Sequence, residues 1–317
     1  MINAFLTTLE QMGRILLFLV FGFGLNRLHI LPKSASAGVS RLITMVFMPA
    51  LLIYSNMTEF NLANVGQYSQ LVLWGGLFMT IAILISYLLV GRFAKGNPLE
   101  HGVFLYGLTF PNTGAVGTPL ILAIMGTVGY FQYNLFLLTM TIMTYAWGVG
   151  LFLSTERKNP VKRFFVNMFN PIFISMMIGL ILGAVGAKNW MPTLVTGFMK
   201  DLGACYVPVS LLLTGFTVAD YPLGEIFNRP KSYVFALFRL IIIPMAMLLL
   251  AYVFGLPKSI ASLIAFTYAG PCGMNVVVFP ASFGQDCRTG SSIVLLSSLC
   301  SVLTVPVIFA LVQLLFP

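Results

Sequence analysis

Two uncharged polar residues, Asn112 and Thr113, stand inside a long apolar run, in the stretch PNTGAVGTP at residues 111–119. Pro111 and Pro119 lack a backbone N–H and break the helical hydrogen-bond ladder, and Gly114 lowers helix propensity further. In lipid, a broken backbone is tolerated only where it is buried in protein or lines a wet cavity. The stretch therefore predicts a broken membrane helix whose polar side chains contact a substrate. The alternative interpretation is that Asn112 and Thr113 only cap the freed backbone groups.

A second stretch of the same kind, AGPCGMNVVVFP at residues 269–280, lies in the other half of the chain. Its helix breakers flank an apolar residue and an amide: Pro271, Gly273, Met274, Asn275 and Pro280. Asn275 is expected to be the equivalent of Asn112, with Met274 beside it at the substrate, and the same two interpretations apply. Gly273 and Gly114 either let the backbone approach a ligand or partner helix, or serve close packing alone.

The composition is that of a polytopic membrane protein. Of 317 residues, 59% are hydrophobic and only 8% are charged, and the mean hydropathy is +0.96, whereas soluble domains carry roughly 25% charged residues. The net charge of +9 is typical of basic cytoplasmic loops, and no basic patch predicts a nucleic-acid partner. The four cysteines have no CxxC spacing, and no metal, nucleophile, phosphate-loop or dinucleotide motif is present, so neither a cofactor nor an enzymatic activity is expected.

Ten apolar segments are long enough to cross a bilayer, which takes about 20 residues. They are 5–26, 36–57, 68–91, 99–125, 130–153, 168–186, 194–217, 232–254, 258–284 and 290–315. Twelve of the seventeen Lys and Arg residues follow spans 1, 3, 5, 7 and 9, and three lie in the alternate connections. This bias predicts a multi-pass protein of the cell (inner) membrane with both termini outside.

The prolines indicate an internal repeat. Four pairs recur in order at offsets of 159, 159, 160 and 161 residues: Pro49 and Pro208, Pro98 and Pro257, Pro111 and Pro271, Pro119 and Pro280. Because each half contains five spans, an odd number, related halves must be inverted in the membrane. We therefore predict an all-α fold of two five-helix repeats, 1–157 and 158–317. The broken spans 4 and 9 would then run antiparallel and cross near the midplane.

With these elements in this order, the whole chain resembles the auxin efflux carrier family, which includes bacterial organic-acid permeases. The resemblance implies a crossover of spans 4 and 9 with the substrate carboxylate beside it. Bile-acid symporters and sodium/proton antiporters look similar in architecture, so the fold alone does not decide the substrate. It implies a scaffold of spans 1, 2, 6 and 7, a transport unit of spans 3–5 and 8–10, an elevator mechanism and a homodimer. The chain lacks the large hydrophilic loop of the plant members, so plant-type phosphorylation control is not implied.

Further candidates carry polar or charged groups inside the spans. Thr144 and Tyr145 in span 5 are predicted to face the cavity, and Thr118 before Pro119 to be an N-cap. Arg239 in span 8 is either a counter-charge for an anion or, the interpretation we favour, a side chain that snorkels to the headgroups. Glu10 and Arg14, at i,i+4 spacing, predict a structural ion pair, with gating as the alternative.

No acidic residue falls in the middle of spans 3–5 or 8–9, where proton- and sodium-coupled carriers usually place a carboxylate. The sequence therefore predicts export of small organic anions, driven by membrane potential or exchange. A sodium- or proton-coupled symporter of bile-acid-like or dicarboxylate substrates is the alternative. A third class, an intramembrane enzyme or a sensor, would need paired acids, a His cluster or a soluble output domain, and the sequence contains none of these.

Overall fold

The computed structural model describes residues 2–32, 34–94, 97–152, 169–220, 229–282 and 284–316. The side chains of residues 2–4, 145, 281 and 282 are outside this description. Within the described residues the chain is helical and contains no strand. Helices or half-helices occur at the position of every apolar segment that the sequence predicts, and the number of membrane crossings stays a prediction.

Twelve helical stretches are described, several of them interrupted. They are α1 Ile2–Arg27, α2 Ala35–Glu59, α3 Val65–Val90, α4 Pro98–Thr109, α5 Thr113–Phe136, α6 Leu138–Ala146, α7 Pro171–Ala184, α8 Thr193–Val218, α9 Pro230–Val253, α10 Lys258–Tyr268, α11 Asn275–Ser282 and α12 Arg288–Leu315. Seven stretches in the described part of the chain (in α1, α2, α3, α5, α8, α9 and α12) are long and apolar enough to span a membrane. A 3₁₀ turn, Gly148–Phe152, extends α6, and α7 is a shorter apolar helix.

Three π-helical turns interrupt the described helices, and each ends two residues before a proline. A proline lacks an N–H and its ring displaces the carbonyl four positions earlier, so the preceding hydrogen bonds shift from i−4 to i−5. The residue before each proline accordingly donates to the carbonyl five positions back: Met48 to Ile43, Thr118 to Thr113, and Ile243 to Phe238. Two of these turns, Ile43–Phe47 and Thr113–Gly117, contain or adjoin residues of the candidate site described below.

One predicted boundary differs from the structure. The sequence predicts separate spans at 99–125 and 130–153, whereas the structure carries helical residues through this connection, with a kink at Gly126. Gly126 adopts φ 64° and ψ −161°, a conformation that a residue without Cβ enters readily. A single glycine therefore makes the change of direction that the sequence assigns to a short loop.

The helices pack in two groups. In the first, α2 packs against α7 and the first part of α8, and α1 packs against the second part of α8. A Cβ on Gly179 or Gly183 of α7 would come within 2.8 Å of Asn56 on α2, so this small-xxx-small spacing allows close helix contact. In the second group, α3 packs on α4, α5 and α6, and α9 packs on α10 and α12. The groups meet where α1 contacts α12 and α5, and where α2 contacts α5.

The half-helices α4 and α10 lie at the centre of the second group. Residues 102–109 and 260–268 are buried without interruption. Their ends are therefore shielded by protein, which is the condition under which broken backbone is tolerated at membrane depth.

Candidate functional site

The two breaks of the chain contact each other directly. The first lies between α4 and α5, and the second lies between α10 and α11. They are joined by an isolated antiparallel bridge between Pro111 and Cys272, by the N–H of Asn112 donating to Pro271 O (2.8 Å), and by the N–H of Gly273 donating to Phe110 O (3.2 Å). Backbone groups that each proline releases from its own helix thus find partners in the opposite break.

Gly273 makes this approach possible. A Cβ at this position would lie 3.2 Å from Phe110 O and 3.3 Å from Pro111 O, closer than most side chains approach a backbone oxygen. A Cβ on Gly114 would meet only the Tyr206 hydroxyl, at 3.1 Å. Gly273 therefore serves the contact between the two breaks, whereas Gly114 faces a side chain.

A cavity of about 240 Å³ lies against the paired breaks. Seven predicted site residues line it: Asn112, Thr113, Gly114, Thr144, Gly273, Met274 and Asn275. Among the predicted helix breakers, Pro111 belongs to the wall, whereas Pro119, Pro271 and Pro280 do not. The side chain of Tyr145 lies outside the part of the chain that the structure describes.

Asn112 has a structural role that the capping interpretation anticipates. Its Oδ1 accepts from the Ala115 N–H at 3.0 Å, so Asn112 is the N-cap of α5. Its Nδ2 has no acceptor among the described residues, and this donor remains at the cavity wall. The prediction that Thr118 is the N-cap is wrong: the helix restarts five residues earlier as a π turn, and the Thr118 hydroxyl donates to Thr113 O at 3.2 Å.

Asn275 is held differently. Its Nδ2 donates to the hydroxyl of Tyr106 at 2.9 Å, which connects the start of α11 to α4. Tyr106 also lines the cavity and is only 1% exposed. The two equivalent asparagines therefore differ: one caps its own helix, and the other fixes an aromatic side chain of the opposite broken segment.

The remaining lining residues were not predicted as site residues: Met48, Tyr106, Phe110, Leu137, Met140, Thr141, Ile172 and Tyr206. Two of them had a signal in the sequence, since Met48 directly precedes Pro49 and Tyr206 lies two residues before Pro208, which the predicted repeat pairs with Pro49. Thr141 lies one turn before Thr144 on α6, and the Thr144 hydroxyl donates to Met140 O at 2.9 Å. Tyr106 could have been found only by knowing which face of α4 meets α11.

The charged candidates lie away from this cavity. Arg239 is completely buried and its Nη1 donates to Leu108 O at 3.3 Å. The expectation that it snorkels to the surface is wrong, because its guanidinium points inward to the end of α4. Glu10 and Arg14 form the predicted ion pair at 2.6 Å, with side chains 61% and 62% exposed. Arg14 also borders a second cavity, of about 340 Å³, between α1, α5 and α8.

The main cavity offers neutral polar groups and helix N-termini. Both α5 and α11 begin at its wall, and a helix N-terminus favours negative charge and presents free N–H groups. Among the described residues, no acidic or basic side chain lines the cavity, and no cluster of acidic, His or Cys side chains could hold a metal ion. Tyr106, Phe110 and Tyr206 add aromatic surface. The arrangement suits a small anion with an apolar body.

Comparison with known families gives a match over nearly the whole chain. Residues 7–309 match the family described as "Membrane transport protein". Comparison with individual curated proteins gives no match. The match covers nearly the whole chain, including both breaks and every described residue of the cavity wall. The chain therefore belongs to the membrane transport protein family, the family of the auxin efflux carriers.

Proposed function

We propose that this membrane transporter is a secondary carrier that exports small organic anions, with its substrate site at the paired breaks. The observation that carries the proposal is the composition of the cavity wall. Two helix N-termini and the free Nδ2 of Asn112 converge on one space, without an acidic side chain among the described lining residues. Such a wall favours a carboxylate over a cation.

The substrate we propose is a small carboxylate with an apolar or aromatic body, of the auxin-like or monocarboxylate and dicarboxylate classes. The cavity volume of about 240 Å³ is below that of pockets for drug-sized ligands, which start at about 300 Å³. The substrate should therefore be small. Methionine, leucine and aromatic side chains form the part of the wall away from the breaks. The carboxylate would lie beside Asn112 and Asn275, and the apolar body would lie against Tyr106 and Tyr206.

The direction we propose is export. The cavity extends from the breaks to Ile172, the second residue of α7, and to Thr144 near the end of α6. These ends flank the connection at residues 153–170, which contains four basic residues and is expected in the cytoplasm. A cavity on that side would load from the cytoplasm. An anion leaving a negative interior gains about 2.3 kcal/mol per charge per 100 mV.

The mechanism we propose is of the elevator type, in an inverted repeat of ten spans. The first packing group, α1, α2, α7 and α8, would be the scaffold and the dimer-forming part, and the second group, with both breaks, would move. The contacts of α1 with α12 and of α2 with α5 would then be the sliding surface. The hydrogen bond from Thr127 Oγ1 to Glu59 Oε1, at 3.0 Å, crosses this surface and would have to break during movement.

The proposal is tested with purified protein in two steps. In a thermal-shift screen, at least one of indole-3-acetate, benzoate and malate should raise the unfolding temperature. A ligand at 100 times its Kd adds about 2.7 kcal/mol to the free energy of unfolding. Proteoliposomes loaded with a stabilising carboxylate should then release it faster when a potassium diffusion potential makes the loaded side negative. The matched control is the same vesicle without valinomycin.

Two outcomes would contradict the proposal. Stabilisation by organic cations or neutral sugars and not by carboxylates would remove the anion site. Transport that requires an imposed sodium or proton gradient and ignores the potential would favour the cation-coupled symporter instead.

A further inference from the structure

Arg239 places a full positive charge inside the second packing group. It lies in the π-helical turn Phe238–Ile242 of α9 and has no exposed surface. π-helical turns are frequent at functional sites, and an ionisable residue at membrane depth is a functional candidate by default. The cavity wall does not include it, so it can act on a ligand only through its electric field or through the residues that it holds in place.

The backbone hydrogen bonds show that Leu108 connects Arg239 to the first break. In an unbroken helix the carbonyl of Leu108 would accept from the N–H of Asn112. That N–H donates to Pro271 O instead, so the Leu108 carbonyl loses its helical donor. The guanidinium of Arg239 replaces it, through Nη1 at 3.3 Å. Leu108 is two residues from Phe110, which lines the cavity.

The charge of Arg239 is not compensated by a nearby carboxylate. Among the described residues, no acidic side chain forms an ion pair with it, and its Nε and Nη2 have no protein acceptor. Cys272 and Tyr268 are its electrostatic neighbours, and both are uncharged side chains. The partial negative charge at the C-terminal end of α4 offsets only a fraction of a full positive charge. A positive potential therefore remains at the breaks.

We propose that Arg239 is a positioning residue with two effects: it holds the broken end of α4 in place, and its charge makes the adjacent cavity selective for anions. This inference rests on the proposed function and deepens it, because it assigns the charge preference to a residue outside the cavity. A fixed charge roughly 10 Å from a bound carboxylate, in surroundings of effective dielectric about 20, changes affinity on the order of tenfold.

The test compares each carboxylate with its amide, which has nearly the same shape and no charge. The probes are indole-3-acetate with indole-3-acetamide, and benzoate with benzamide. Arg239→Gln keeps a hydrogen-bond donor for Leu108 but removes the charge, and Arg239→Lys keeps the charge. We expect Arg239→Gln to bind the carboxylates about tenfold more weakly with unchanged amide affinity, and Arg239→Lys to keep the wild-type ratio of carboxylate to amide affinity.

A purely structural role would give a different pattern. Equal loss of carboxylate and amide affinity in Arg239→Gln, or a ratio as low in Arg239→Lys as in Arg239→Gln, overturns the inference and leaves the proposed function standing. If Arg239→Gln does not fold, the Lys variant alone decides, because loss of the ratio in a variant that keeps the charge has the same consequence. Failure of the wild type to bind either carboxylate overturns the proposed function, and this inference with it.

Discussion

The two breaks have the same covalent origin but different polar partners. Each contains a proline, a glycine and an asparagine, and each donates one backbone N–H to the other. In the first break, the Leu108 carbonyl accepts from the charged Arg239. In the second break, the N–H of Cys272 donates to the neutral hydroxyl of Ser297 at 3.1 Å.

The asparagines repeat this contrast. Asn112 caps its own helix and keeps a free donor, whereas Asn275 is tied to Tyr106 across the crossover. The first break is therefore built around a charge and a self-contained cap, and the second is fixed by neutral contacts to neighbouring helices. The prolines determine where the helices break, and the surrounding helices determine which polar groups each break presents.

The largest difference between the breaks should appear at their glycines. Gly273→Val would place branched carbons against the backbone oxygens of Phe110 and Pro111, both within 3.3 Å of the Cβ position. We expect a loss of about 3 kcal/mol in stability, the upper end of the range for overpacking. The measurement is the apparent unfolding temperature in detergent, together with the yield of monodisperse protein.

Gly114→Val is the matched variant in the first break. Its Cβ would meet only the Tyr206 hydroxyl, and Gly114 borders the cavity, so we expect a loss of about 1 kcal/mol at most. If both variants lose the same stability, the backbone contact of Gly273 has no special importance.

The positions of the breaks could be predicted from the sequence because a proline acts locally. Pro111 and Pro271 interrupt their helices whatever surrounds them, and the apolar context requires that the breaks be buried. For the same reason the sequence predicts the neighbourhood of Asn112, Gly273 and Asn275. It also predicts the pair of Glu10 and Arg14, whose i,i+4 spacing is a property of one helix.

The partners across helices could not be predicted in this way. That Tyr106 accepts from Asn275, or that Arg239 points at Leu108, depends on how α4 is rotated against α9 and α11. A periodic pattern does not determine this rotation when every face of a helix is apolar. The wrong expectation for Arg239 has this cause, because the sequence indicates how deep a residue lies along a span but not the direction in which its side chain points.

A second difference concerns the polar partner of each break. Ser297→Ala would leave the buried N–H of Cys272 without its acceptor, which costs about 1–3 kcal/mol. Unlike the Arg239 variants, Ser297→Ala should leave the ratio of carboxylate to amide affinity unchanged, because no charge is removed. The apparent unfolding temperature and the same probe pairs measure both effects.

Ser301→Ala is the control for this variant. Ser301 is equally buried, and its hydroxyl donates to Ser298 O at 2.7 Å, so its removal leaves no backbone N–H unpaired. We expect a loss of less than about 1 kcal/mol. A change of the affinity ratio in Ser297→Ala as large as in Arg239→Gln would mean that the two breaks influence the cavity equally.

The smallest predicted effect on stability belongs to a variant that separates the two roles of Asn112. Asn112→Asp keeps an oxygen that can accept from the Ala115 N–H, and a negative charge at a helix N-terminus is favourable by about 0.3–1 kcal/mol. The variant should therefore fold with unchanged stability. It loses the Nδ2 donor and repels an anion, so carboxylate affinity should fall about tenfold, or about 1.4 kcal/mol, with amide affinity less affected.

Thr144→Val is the control for this variant. It removes a lining hydroxyl that is already bonded within its own helix, so it should change carboxylate affinity less than about threefold. Unchanged carboxylate binding in Asn112→Asp would mean that Asn112 only caps α5, and that substrate recognition belongs to the second break alone.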